Sequence, residues 1–301
     1  MAENLGAQEL AHMMALHGDN PADRFVNTAA VWDARVESWA KANWQENLAW
    51  GAAMARVKDT AAYLRGQGLL GPEADVIDIG CGPGRFVTEF ARTARSAMGI
   101  DISPRTIDYA RRFAKEAGQQ NTAFLAADFQ ALDLAAAGLE GAFDLAFSAI
   151  TPAIRGMAGL EKFMALSRAW CYVSNFVQSR DALYERIGRE VFGRPVYKQW
   201  EGKHFYTTFN ILFLLGYQPV TGYYTQVKES RRQVSQEAAN ACAEAVLPPT
   251  EQTEANIRKI YDWLGAHADG EGGIREQSRF LYGWLLWDQR LRGESRRFDW
   301  I

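Results

Sequence analysis

The sequence predicts a doubly wound α/β fold. It has a mostly parallel seven-stranded sheet with helices on both faces, an N-terminal helical cap, and a helical insertion before the last strand. Three observations carry this expectation. Val76 to Phe86, VIDIGCGPGRF, is an apolar run, a turn with glycines at alternate positions, and the opening of a helical pattern. From Ala74 to Phe176, short apolar runs alternate with helical patterns, as parallel strands joined by crossover helices require. Three of those runs hold an acid at or near their ends, Asp78, Asp101 and Asp128. Ligands of open α/β sheets sit beyond those carboxyl ends.

Composition sets the outer bounds. With 301 residues, 48% of them hydrophobic, the chain can build one large domain with additions, or two. A net charge of −3 and a pI near 5.9 give no global basic footprint, so nucleic acid is not an expected partner. Cys81, Cys171 and Cys242 are far apart and form no CxxC pair. Neither a disulfide framework nor a zinc site is indicated, and a reduced, cytoplasmic setting is expected. The start, MAENLGAQELAHMM, has early acids and no apolar run, unlike a secretory signal. No stretch reaches the ~18 apolar residues of a membrane span.

Residues 1–70 are helical in pattern and precede the first strand. Between Ala29 and Leu64, Trp32, Trp39, Trp44, Trp50 and Tyr63 are interleaved with Arg35, Glu37, Lys41, Glu46, Arg56 and Lys58. Trp32 and Trp39 are a heptad apart and share a helix face. These aromatics either anchor the helices on the sheet domain or line a pocket beneath a cap, and the two readings are compatible. Gly66, Gly68, Gly71 and Pro72 mark the loop into the first strand.

The first strand is expected at about Val76–Ile79 and its helix at about Gly84–Thr93. Glycines in the intervening turn let backbone approach a ligand or take positive φ. The helix start offers free N–H groups and the positive end of its dipole. The spacing is G-x-G-x-G, not the G-x-G-x-x-G of dinucleotide sites, and there is no Walker-type G-x-x-x-x-G-K-[ST] run. Asp78-Ile79-Gly80-Cys81-Gly82-Pro83-Gly84 resembles the first motif of the class I S-adenosylmethionine-dependent methyltransferases. The resemblance implies S-adenosyl-L-methionine as cofactor. Gly80, Cys81, Gly82 and Gly84 would pass under its methionine part, and Asp78 would help hold the amino group.

The second strand, about Ala97–Ile100, ends at Asp101, 23 residues past Asp78, where an acid can accept both hydroxyls of a ribose. Ser103 then suits a helix N-cap and Pro104 the first helical position. This segment is similar to the family's second motif, which carries Asp101 and Ile102 into the cofactor site. The third strand, about Thr122–Ala126, leads to Asp128 and Phe129. In the family an acid here accepts from the adenine amino group, and Phe129 would pack on the adenine face. The fourth strand, about Phe143–Ala149, ends at Ser148-Ala149-Ile150-Thr151. The transferred methyl should lie there, with Ser148 and Thr151 as polar candidates. The Asn/Asp/Ser-Pro-Pro-aromatic run of base and glutamine N-methylating enzymes is absent, which argues against base methylation.

A helix at about 159–169 leads to the fifth strand, about Trp170–Phe176. Then come a helical stretch (Arg180 to Phe192), a polar-aromatic run, YKQWEGKH, at 197–204, an apolar helix from Tyr206 to Leu215, and a sixth strand, about Val220–Val227. The family expects a quick return into an antiparallel seventh strand. Here residues 229–275 intervene, charged and helical, as a lid or homodimerisation element. The last strand is expected at about Ser278–Trp287, and the tail Asp288–Ile301 is charged and expected to be partly disordered.

Chemistry asks little of such a protein, because the sulfonium is already an electrophile. The chain must align the acceptor, exclude water and, for a weak acid, take a proton. Of four histidines, His204 can reach the cofactor mouth, and with Tyr206 it is the catalytic candidate; His12 and His17 lie in the cap. Tyr197, Glu201 and Arg155 are further pocket candidates. The expected activity is methyl transfer to a small-molecule O, N or S acceptor. A cofactor-binding sensor or assembly subunit and a nicotinamide-dependent oxidoreductase are the rivals, the latter disfavoured by the glycine spacing.

Overall fold

The computed structural model describes residues 2–18, 27–41, 48–196 and 202–292. Three helices open the chain: α1 (Ala2–Gly18), α2 (Ala29–Lys41) and α3 (Leu48–Gly66). The alternating segment follows as β1 (Asp75–Ile79), α4 (Arg85–Phe90), β2 (Ser96–Asp101), α5 (Pro104–Glu116), β3 (Thr122–Ala126), β4 (Phe143–Ala149), α6 (Gly156–Ala165) and β5 (Ser167–Asp181). The rest comprises α7 (Ala182–Phe192), α8 (Lys203–Leu214), β6 (Val220–Gln233), α9 (Gln236–Val246), α10 (Glu254–Ala266) and β7 (Gly273–Asp288). The strands form one seven-stranded sheet in the order β3-β2-β1-β4-β5-β7-β6. Among β1 to β5 every pair is parallel, with Asp78 level with Gly99 and Phe147. This is the doubly wound arrangement, and its order reverses beside β1, where the first crossover changes side.

β1 and β4 are buried on both faces, as strands between helix layers must be. On one side Val57, Ala61 and Leu64 of α3 join Phe86, Val87 and Phe90 of α4 against Val76, Leu145 and Phe147. Val57, Ala61 and Leu64 are fully buried, so α3 docks through small and branched aliphatics. Aromatic packing extends the layer: Phe147 stacks on Tyr172 (centroids 4.7 Å, 8°), and Trp284 meets both Tyr172 and Tyr63. Trp44 lies outside the described residues, as do the side chains of Trp39 and Trp50. Ser103 caps α5 as expected: its Oγ accepts from Thr106 N (3.0 Å), and Pro104 is the first helical residue.

The chain forms two compact units. One holds residues 1–175, 203–222 and 283–301; the other holds 176–202 and 223–282. The second has its own core, in which Leu183 and Ile187 of α7 pack with Ala239, Cys242 and Val246 of α9 and Ile260 and Leu264 of α10. Two strands run longer than the expected Val220–Val227 and Ser278–Trp287. Their extra residues are charged, which hides a strand pattern, yet they pair across the hairpin. Ser230 and Arg232 both bond Glu276 of β7, and Arg231 bonds Asp269 in the turn just before β7. Such cross-strand polar pairs stabilise a ladder without apolar alternation. Gly222 lies against Trp284 and Gly273 against Arg231, so β7 runs antiparallel to β6. No described helix is long and apolar enough to cross a membrane. The tail beyond residue 292 lies outside the described residues, as do Tyr197 and Glu201.

Candidate cofactor site

The glycine turn has the geometry its composition permits. Gly80, Gly82 and Gly84 take φ of +72°, +51° and +74°, the left-handed region that side chains disfavour. Two of them are also confined. A Cβ on Gly80 would strike the side chain of Thr151, and one on Gly84 would meet Ala110 Cβ at 2.9 Å. Gly82 has nothing within 4 Å; its Cα side faces open space. Gly80 N and Cys81 N donate to Ile100 O at 2.8 and 3.0 Å, tying the turn to the end of β2.

Asp101 clamps this turn. Its Oδ2 accepts from Gly82 N at 2.9 Å and its Oδ1 from Ser103 N at 3.0 Å. Burial raises its pKa, and these two bonds pull it back. Asp78 is only 2% exposed. Burial pushes its carboxyl well above the usual range, and the charge of Asp101 adds to the push. Two acids held this way favour a ligand that brings positive charge or hydrogen-bond donors. Ser103 Oγ in turn donates to Asp33 of α2 at 2.5 Å, which fixes an N-terminal helix beside the same loop.

These residues line one cavity of about 240 Å³ at the carboxyl ends of β1 to β4. It brings together Asp78, Gly80, Cys81, Gly82, Asp101, Ile102, Asp128 and Phe129, with Ala149 to Ala153 at the far wall. Gln130 N donates to Asp128 Oδ1 (3.0 Å), holding that carboxyl in its loop, and Lys162 Nζ lies 5.5 Å from the Phe129 ring centroid. Ile150 takes φ +53°, an uncommon conformation for a β-branched residue. It turns the chain so that Thr151 covers Gly80.

Four of the site candidates, Gly84, Ser148, His204 and Tyr206, stand elsewhere. Gly84 packs on α5 and Phe124. Ser148 is buried and donates to Ile79 O at 3.1 Å. It lines a separate, water-sized void of about 10 Å³ together with Thr151, Asn175, Thr208 and His204. His204 therefore stands behind Thr151, not in the main cavity. It stacks on His17 of α1 (4.6 Å, 24°), and its Nδ1 has no hydrogen-bond partner among the described residues. Burial lowers the pKa of His204 to about 3, and that of His17 to about 4. Both rings are neutral near pH 7. His17 Nδ1 pairs with Thr207 Oγ1 at 2.9 Å. Tyr206 is 43% exposed and lines neither cavity.

The cavity also holds side chains that sequence reasoning did not single out as site residues: Asn27, Arg56 from α3 and Arg85 from the start of α4. Trp32, one of the aromatics expected in a cap, lines it too, and its Nε1 donates to Asn27 Oδ1 at 2.6 Å. The interleaving of arginines with aromatics before β1 was the only available signal for Arg56.

Residues 70–173, from the end of the N-terminal helices into β5, match the family model described as a methyltransferase domain. Among solved structures, the chain is similar to a magnesium protoporphyrin IX methyltransferase from Synechocystis PCC 6803 with bound SAH. That match has 19% identity and a TM-score of 0.47, and covers 67% of this chain and 92% of that one. A putative methyltransferase from Bacillus halodurans C-125 matches at 14% identity and TM-score 0.47, over 78% of this chain and 98% of that one. An RNA methyltransferase from Salinibacter ruber in complex with S-adenosyl-L-homocysteine matches at 23% identity and TM-score 0.32, over 41% and 74%.

Proposed function

We propose that this chain, whose residues 70–173 match the model of a methyltransferase domain, transfers a methyl group from S-adenosyl-L-methionine to a small-molecule acceptor. One observation carries the cofactor reading: a single cavity gathers the left-handed glycine turn, Asp78, Asp101 and Asp128 in the order of the strands that bear them. The residues fit the group. The bare Cα face of Gly82 admits close approach; in this reading Asp101 would accept from the ribose hydroxyls, Asp128 and Phe129 would meet the adenine, and Asp78 would meet the ammonium. When bound, the cofactor supplies an electrophilic methyl on a good leaving group.

The chain's part is binding, alignment and exclusion of water. The acceptor is assigned to the wall formed by Ala149 to Ala153, beside Thr151. His204 lies behind that residue and is neutral at working pH. Its Nδ1 has no hydrogen-bond partner among the described residues, and its low basicity makes it a weak proton acceptor. A small acceptor is favoured over a polymer by the N-terminal residues Asn27, Trp32 and Arg56, which contribute to the cavity wall. The overall charge of −3 points the same way.

The test is a screen of metabolite pools for transfer of labelled methyl by the full chain. Labelling of a small molecule by the wild type that is lost in Gly82→Val supports the whole reading. Cofactor binding with labelling of no small molecule would favour the rival reading, a sensor or assembly protein. Labelling of RNA or protein alone would overturn the acceptor class.

A further inference from the structure

The small void behind Thr151 is walled by polar side chains, among them Thr151 itself, Ser148, Asn175, His204 and Thr208. We propose that this void seats one internal water, hydrogen-bonded to His204 Nδ1 and to the Thr151 hydroxyl, which makes His204 a positioning residue for Thr151. The void is separate from the main cavity, so the water does not depend on what that cavity binds. Only the description of Thr151 as part of the acceptor wall rests on the proposed function.

Size, an orphaned atom and the surrounding donors and acceptors converge on this occupant. The void measures about 10 Å³, which is about one probe sphere, the room of a single water. His204 Nδ1 is buried and has no hydrogen-bond partner among the described residues. Burial lowers the pKa of the ring to about 3, so near pH 7 it carries one N–H and one lone pair. Whichever of these Nδ1 holds, leaving it unpaired costs the desolvation of a polar group. Water, which both donates and accepts, satisfies either tautomer.

The other walls complete the set. Thr151 Oγ1 accepts from Ala153 N at 3.2 Å, which leaves its own proton to donate. Thr208 Oγ1 donates to His204 O at 2.8 Å, and Ser148 Oγ donates to Ile79 O at 3.1 Å, so these two hydroxyls offer the void lone pairs. A water can accept from Thr151, donate to His204 Nδ1 and give its second proton to Ser148, Thr208 or Asn175. That makes three bonds, the usual number for a buried water, whereas voids that stay dry are apolar. The consequence is mechanical. Thr151 covers Gly80, and the water ties its hydroxyl to α8, whose Thr207 pairs with His17 of α1.

Two measurements on the full chain test this. A high-resolution crystal structure should show one density peak in the void, about 2.7–3.2 Å from His204 Nδ1 and about 2.5–3.0 Å from Thr151 Oγ1. No peak, or a peak out of reach of either atom, would overturn the proposal. The second measurement is hydrogen exchange of the Ala153 amide in wild type, His204→Phe and His204→Asn, each checked for cooperative unfolding. Phenylalanine keeps a ring to stack on His17 and removes Nδ1; asparagine gives up the ring and keeps a polar atom near the place of Nδ1. Positioning through the water predicts exchange roughly two- to tenfold faster in His204→Phe, the worth of one hydrogen bond, with His204→Asn close to wild type. A role in packing alone reverses that order, and any order other than the predicted one would overturn the proposal. The crystal measurement needs no variant and decides the matter if His204→Phe does not fold. Neither readout involves the cofactor, so failure here would leave the cofactor reading standing.

Discussion

Alanine at Gly80 and at Gly82 should have unequal consequences, although the two glycines are two residues apart in one turn. Each has positive φ, +72° and +51°, so each alanine takes on a left-handed strain of roughly 1–2 kcal/mol. At Gly82 nothing more is met within 4 Å. At Gly80 the new Cβ would lie 2.7 Å from Thr151 Cβ and 2.8 Å from its Cγ2, closer than any real contact. Moving Thr151 aside adds an overpacking cost of about 1–3 kcal/mol. Gly80→Ala is therefore expected to lose about 2–5 kcal/mol and Gly82→Ala about 1–2 kcal/mol. The assay is urea unfolding, following the transition that S-adenosylhomocysteine shifts. A double-mutant cycle isolates the collision: in a Thr151→Gly background, Gly80→Ala should cost only its backbone strain, leaving a coupling of about 1–3 kcal/mol. Equal losses at the two glycines, or a coupling near zero, would refute the idea that Thr151 is seated on Gly80.

Two further outcomes follow from the same geometry. Asp101→Ala should abolish cofactor binding while the fold survives. It removes the proposed ribose acceptor as well as the partner of Gly82 N and Ser103 N, and calorimetry with S-adenosylhomocysteine at retained secondary structure reads it. The chain should also lose stability in acid because of His17 and His204. Their folded pKa values, about 4 and about 3, lie below the unfolded value of 6.5. The unfolded chain therefore takes up protons first, and stability falls as pH drops from about 6.5 towards 4, by roughly 1.4 kcal/mol per pH unit for each ring at most. His17→Gln should flatten that slope in unfolding midpoints measured between pH 7 and pH 4.5; an unaltered slope would contradict the buried-neutral assignment.

How much of this was legible beforehand depends on how local the cause is. The glycine turn was readable because the need for positive φ is written into single residues. Asp101 was readable because a strand ending in an acid has one place to put it. Ser148 was not. A strand-end side chain points to the cavity or away from it according to register, which alternates at every residue, and Ser148 turns inward to Ile79 O. Arg56 and Arg85 were hidden for a different reason. They reach the cavity only because α3 packs on the sheet through other residues, and tertiary docking leaves no mark on an arginine itself. The ends of β6 and β7 were missed because their stabilising pairs, Arg232 with Glu276 and Arg231 with Asp269, look like solvated charge in sequence. The second unit was obscured because it is assembled from two separate stretches, 176–202 and 223–282.

The central claim is that the cavity beyond β1 to β4 holds S-adenosyl-L-methionine, and direct titration of the full chain tests it. Titration calorimetry with S-adenosyl-L-methionine should give saturable binding at one site, lost in Gly82→Val, with no heat from NAD. Binding of NAD but not of S-adenosyl-L-methionine, or wild-type affinity in Gly82→Val, would contradict the account.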